Sequence, residues 1–194
     1  MLKAPRSGVA VAMANPTRQS LSSALRTRLD SWWVIGIFGV IFLASQIAIA
    51  VILHKVGHAT VLRLQTTLSA DTLAQGFERL RETGKLAAYR SHYWLDFVHP
   101  AWYGILLSAS LAKAFRGNAV SSKFDFVVLV PFVAALLDLV ENLCHVLFLS
   151  SPGAIVAPLV VLSGLAAILK WSLVAACIVI VLVLALRGAL QRRA

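Results

Sequence analysis

The chain has 194 residues, of which 59% are hydrophobic and 13% are charged, and its mean hydropathy is +0.83. Soluble domains are about 45–50% apolar and about 25% charged, so this composition excludes an ordinary water-soluble globule. Eighteen Lys and Arg against eight Asp and Glu give a net charge of +10. Most of these cations flank apolar stretches, so membrane topology explains the excess better than nucleic-acid binding does. Cys144 and Cys177 lie inside apolar runs, which argues against a disulfide framework or a thiolate metal site.

The N-terminal segment, residues 1–30, is basic and has no acidic residue before position 30. We predict that it is a disordered cytoplasmic tail. An organelle transit peptide is the alternative, because such peptides are also rich in Arg and Ser and poor in acids. A secretory signal peptide is disfavoured, since the first apolar run starts late and is too long.

Four apolar stretches are long enough for the roughly 17–25 residues that cross a bilayer as a helix. They predict an all-α polytopic membrane protein, a four-transmembrane-helix bundle within residues 31–188. The expected spans are 32–53, 93–114, 126–149 and 159–186. The apolar run that contains the last span, residues 154–186, would be about 50 Å long as a straight helix against a hydrocarbon core of about 30 Å. It must therefore tilt, project from the membrane, or break near Pro158 or Gly164; a basic C-terminal tail follows at 189–194.

The loop between the first two spans, residues 54–92, is the largest segment outside the predicted spans. Leu73, Phe77 and Leu80 recur there at helical spacing, and charged residues occupy the opposite side. Ser69 offers an N-cap. We predict a short extracytoplasmic amphipathic helix that lies on the membrane surface or covers the bundle. A solvated connector is the alternative.

The distribution of Lys and Arg predicts the orientation of the bundle. Eleven of them lie on the side of the two termini and six lie in the loop 54–92. By the positive-inside rule both termini are cytoplasmic. We expect a bacterial inner membrane rather than an organelle membrane, and no nucleic-acid partner.

Ionisable side chains inside the predicted spans are the strongest functional signal. Each costs about 2.5–3.5 kcal/mol at mid-span on insertion scales. Helical spacing and depth place them in one layer about 8 Å thick, in the outer half of the membrane. The candidate catalytic residues of this layer are Asp96, His99, Tyr103, Asp138, Glu141, Asn142, His145 and Lys170.

Three kinds of chemistry are considered for this layer. Metal-free acid–base catalysis needs carboxylates and imidazoles in a pocket of low dielectric constant. A zinc or iron site is the second possibility, with Asp96, His99, Glu141 and His145 as ligands, although Lys170 would repel the metal. Haem ligation by His99 and His145 is a weaker third.

These residues predict an intramembrane enzyme that acts on a lipid, sterol or isoprenoid-like molecule. A small proton- or ion-coupled carrier is the first alternative, and with four spans it would have to be a homodimer. A non-catalytic assembly protein is the second, in which Asp138 or Glu141 pairs with Lys170 only to fix the packing of the helices. The expected partners are membrane lipids and a lipid-like small molecule.

Overall fold

The computed structural model describes residues 20–192, and all regular secondary structure in that range is helical. Two short 3₁₀ helices, Ser122–Leu129 and Pro152–Ala154, precede α8 and α9. The α-helices of the described range are α1 Leu21–Leu29, α2 Trp32–Leu53, α3 His58–Thr66, α4 Ala70–Glu82, α5 Leu86–Ser91, α6 Tyr93–Asp96, α7 His99–Gly117, α8 Val130–Ser150 and α9 Ala157–Gln191.

Three helical stretches among the described residues are long and apolar enough to cross a membrane: Trp32–Leu53, Ser122–Ser150 and Ala157–Gln191. They mark the chain as a membrane protein. The second predicted span, α7, is not among them. Its polar residues, such as His99 and Lys113, lower its mean hydropathy, although α7 packs against α2, α8 and α9.

The second predicted span is also interrupted, because α6 ends at Asp96 and α7 begins at His99. Pro100 has no N–H, so it cannot donate the helical hydrogen bond to the carbonyl of Asp96. The side chain of Asn142 takes its place, with Nδ2 donating to that carbonyl at 2.9 Å. A residue of α8 therefore completes the backbone of the neighbouring helix.

Helix α9 is continuous from Ala157 to Gln191, so it does not break at either position that the sequence suggested. Pro158 lies in the first turn, where no N–H is needed. At Gly164 an added Cβ would lie 2.4 Å from the carbonyl oxygen of Thr67, so the glycine lets the α3–α4 connection approach α9. At 35 residues, α9 exceeds the thickness of a bilayer and reaches into the predicted tail 189–194, of which 193–194 lie outside the described residues.

Helix α1 lies within the segment that was predicted to be disordered, and there the prediction is corrected; residues 1–19 lie outside the described range. Buried carboxylates hold this part of the chain against α7 and the first 3₁₀ helix. The two carboxylates are largely buried, whereas their cationic partners range from mostly buried, at Arg26, to exposed, at Arg116. The ion pairs are Arg26 with Asp125, Asp30 with Arg116 at 2.7 Å, and Asp30 with Lys113 at 3.3 Å.

The loop 54–92 is largely helical, with α3, α4 and α5 in succession. Helix α4 buries Leu73, Phe77 and Leu80, and Ser69 Oγ accepts a hydrogen bond from Thr72 N at its start. The three apolar side chains belong to a core that also contains residues of α5 and α8. Helix α4 therefore packs on other helices of the protein through its apolar side.

Candidate functional site

Lys170 of α9 lies between two carboxylates of α8. Its Nζ is 2.5 Å from Asp138 Oδ1 and 2.6 Å from Glu141 Oε2. The hydroxyl of Tyr103 donates to Asp138 Oδ2 at 3.2 Å. All four side chains are buried. Since Asp138 and Glu141 are three residues apart, they share the face of α8 that meets α9.

A cavity of about 470 Å³ lies next to this cluster, with most of its lining from α2, α3, α7 and α9 and one residue each from α6 and α8. Its volume falls within the range of small-molecule sites, roughly 300–1,000 Å³. Most of the wall is aliphatic or aromatic. Five of the predicted site residues line it, and we call it the polar cavity: Asp96, His99, Tyr103, Asp138 and Lys170.

His99 is oriented by a hydroxyl from α2. Ser45 Oγ donates to the carbonyl of Phe42 at 2.9 Å and lies 2.8 Å from Nδ1 of His99. A serine hydroxyl has one hydrogen, so when it bonds the Phe42 carbonyl, Nδ1 supplies the hydrogen of the second bond, and when it bonds Nδ1 the roles reverse. In the first arrangement the lone pair of neutral His99 is on Nε2, for which the structure shows no hydrogen-bond partner among residues 20–192. That arrangement leaves Nε2 free to act as a general base.

Asp96 borders the polar cavity at the end of α6. Its carbonyl is held by Asn142, and its Oδ2 lies 3.8 Å from Nε2 of His92. Burial lowers the pKa of His92 to about 4, so this neighbour is neutral at neutral pH. Nδ1 of His92 bonds the carbonyl of Tyr89, which fixes the ring. Asp96 is therefore positioned by two neighbours and still faces the cavity.

The other three predicted site residues do not line the polar cavity. Glu141 of α8 contacts Lys170, and the side-chain amide of Asn142 donates a hydrogen bond to the backbone carbonyl of Asp96. His145 Nδ1 lies 3.1 Å from the hydroxyl of Tyr89, which in turn accepts from Tyr93 at 3.1 Å. The predicted layer is thus divided into a cavity wall and a set of supporting residues behind it.

The residues predicted as metal ligands do not come together. Within residues 20–192, no group of three or more His, Cys, Asp and Glu side chains is arranged to hold a metal ion. Glu141 is directed towards Lys170, and His145 towards Tyr89. The two histidines of the haem hypothesis likewise have different partners, since His99 Nδ1 contacts Ser45 and His145 Nδ1 contacts Tyr89.

Several polar residues of the site were not identified from the sequence. Tyr89 and His92 lie in the predicted outer loop, 54–92, and Tyr93 is the first residue of the second predicted span. The structure buries all three, with 0%, 1% and 2% of their surface exposed. Their i, i+3, i+4 spacing is the signal that could have placed them on one helical face. Trp94, next in sequence, is 85% exposed, as an interfacial residue would be.

Comparisons with family models, curated proteins and solved structures find no match to this chain. Its function must therefore be inferred from the geometry of the site.

Proposed function

We propose that this protein is an intramembrane enzyme that transfers protons on a lipid, sterol or isoprenoid-like substrate bound in the polar cavity. The observation that carries the proposal is the combination, in one cavity, of acid–base side chains and an apolar wall. Leu106, Val174 and Ile178 would contact the hydrocarbon part of the substrate. Asp96 and His99 would contact its polar part.

Each polar residue has a role that its contacts support. His99 accepts a proton through Nε2, the ring nitrogen that has no hydrogen-bond partner among residues 20–192, while Ser45 contacts Nδ1. Asp96 supplies the acid. Lys170 stabilises negative charge that develops on the substrate. The Tyr103 hydroxyl donates its hydrogen to Asp138 and thereby holds the carboxylate that contacts Lys170. Acid–base catalysis by positioned groups of this kind typically contributes 10²–10⁴-fold to a rate.

The packing of the helices supports entry of the substrate from the lipid. Helix α2 packs against α5, α6 and α7, whereas α9 packs against α3, α4, α7 and α8. The polar cavity lies between α2 and α9, and both helices are largely exposed. A molecule dissolved in the bilayer could enter between them without crossing water.

We also propose that α7 is a fourth span and that both termini are cytoplasmic, in a bacterial inner membrane. Lys113 and Arg116, at the end of α7, contact Asp30, just before α2 begins. This supports a course in which α7 returns to the side from which α2 departs. The segment α3–α5 would then cover the outer end of the bundle.

The proposal is tested by separating binding from turnover. Ala50 lines the cavity, so Ala50→Trp should fill it, whereas Ala44→Trp places the same side chain on an exposed face of α2. We expect native mass spectrometry to detect a co-purifying lipid-like molecule in the wild type and in Ala44→Trp. The same molecule should be absent from Ala50→Trp.

Turnover is tested with His99→Gln, which retains a hydrogen-bonding side chain but cannot accept the proton. Lipid extracts of cells that express this variant should accumulate a substrate that the wild type consumes. Retention of the ligand by Ala50→Trp, or wild-type lipid composition with His99→Gln, would contradict the proposal.

A further inference from the structure

A second pocket lies at the opposite end of α7 from the polar cavity. Its volume is about 550 Å³, and it is bounded by the start of α2, the end of α7 and the end of α9. Lys113, Arg116 and Arg192 line it, so we call it the basic pocket. None of these residues takes part in the proposed reaction.

The charge of the basic pocket is positive after its internal ion pairs are counted. Asp30 contacts Arg116 at 2.7 Å and Lys113 at 3.3 Å. One carboxylate beside three cations leaves two positive charges without compensation among these four side chains. Lys113 Nζ also lies 5.1 Å from the ring centroid of Trp32, which is 70% exposed. An exposed Trp beside cations is typical of the headgroup level of a membrane.

The basic pocket is built between helices and is not a flat surface. Asn118 Nδ2 donates to the carbonyls of Ala114 at 2.9 Å and Leu184 at 3.0 Å, which joins the end of α7 to α9. Ile35 and Val181 add an apolar wall. The site therefore combines fixed cations with a hydrocarbon surface.

We infer that the basic pocket binds an anionic phospholipid, with its phosphate between Lys113, Arg116 and Arg192. Basic pockets between transmembrane helices bind anionic headgroups, and the guanidinium fork matches the geometry of a phosphate. An acyl chain would lie against Ile35 and Val181. This inference does not depend on the reaction in the polar cavity.

The test uses the purified full chain with phosphatidylglycerol and phosphatidylcholine that carry the same acyl chains. The variant Lys113→Gln/Arg192→Gln removes two cations of the pocket and leaves Arg116 paired with Asp30. The control, Lys123→Gln/Arg187→Gln, makes the same charge change at residues that do not line the pocket. We expect native mass spectrometry to show that the wild type prefers phosphatidylglycerol to phosphatidylcholine. In the first variant this preference should fall about fivefold for each cation removed. In the control it should equal that of the wild type.

A second pair of variants keeps the charge constant. Ala189→Trp fills the pocket, and Leu190→Trp places the same side chain on an exposed position that does not line it. The former should lose phosphatidylglycerol and the latter should retain it. Equal losses in variant and control, or no wild-type preference for the anionic lipid, would overturn the inference. Displacement of the lipid by excess inorganic phosphate would also overturn it, because the ligand would then be a soluble anion.

Discussion

Lys170 supplies the positive charge that compensates two buried carboxylates in the interior of the bundle. Its ammonium group contacts Asp138 and Glu141, and all three side chains are nearly inaccessible. Buried ion pairs pay a desolvation cost that can equal their attraction, so their presence is weak evidence for stability. Removing one partner is different, because the remaining charges stay buried without compensation.

Lys170→Met should therefore lower the free energy of unfolding by about 3–5 kcal/mol. The triple variant Asp138→Asn/Glu141→Gln/Lys170→Met removes every charge of the cluster and should recover most of this loss. Thermal melts in detergent measure both, with Lys123→Met, on an exposed residue, as the control. If the charges fix only the packing, the stable triple variant keeps its function. Under the proposed mechanism it folds but has no turnover.

At the scale of residues, the sequence predicted which polar side chains belong to the layer. It did not predict which of them line the polar cavity and which contact other residues behind its wall. Asp138, Glu141, Asn142 and His145 all lie within two turns of α8, which is enough to select one broad face. Which of them reaches the cavity depends on where α9 and α5 pack, and periodicity contains no information about that. Thus Glu141 contacts Lys170 from behind, while His145 is directed to Tyr89.

At the scale of elements, the junction of α6 and α7 lacks one backbone hydrogen bond because Pro100 has no N–H. The role of Asn142 as the replacement donor can be tested. Asn142→Leu should lower the free energy of unfolding by about 1–3 kcal/mol, because it leaves the buried carbonyl of Asp96 unpaired. Pro100→Ala restores a backbone N–H that can bond this carbonyl. In that background Asn142→Leu should cost markedly less. Denaturation of the two single variants and the double variant gives the coupling energy, and additive effects would contradict this account.

Long apolar elements were the easiest to predict from the sequence. The predicted bounds of the first span, 32–53, coincide with those of α2. The short helices α1, α3 and α5 were not predicted, because contacts distant in sequence stabilise them. Helix α1 depends on Asp125 and on residues of α7, and the six-residue α5 packs through Tyr89. Isolated helices of this length are marginal in water, so local patterns alone could not identify them.

At the scale of the whole molecule, the three apolar helices and α7 allow two topologies. If α7 crosses the membrane, four spans place both ends of the chain on one side. If it does not, three spans place them on opposite sides. Hydropathy alone favours three, since α7 carries polar residues that face other helices. The contacts of Lys113 and Arg116, at the end of α7, with Asp30, just before α2, favour four. The imbalance of eleven Lys and Arg against six then orients the four-span bundle.

Cysteine labelling in sealed membrane vesicles decides between them. The two native cysteines are buried, so a membrane-impermeant maleimide should react chiefly with introduced, exposed positions. We expect Ser20→Cys and Leu190→Cys to be labelled from the same side and Glu78→Cys, on α4, from the opposite side. Labelling of all three after solubilisation in detergent is the control for reactivity. Ser20→Cys and Leu190→Cys on opposite sides would show that α7 does not cross.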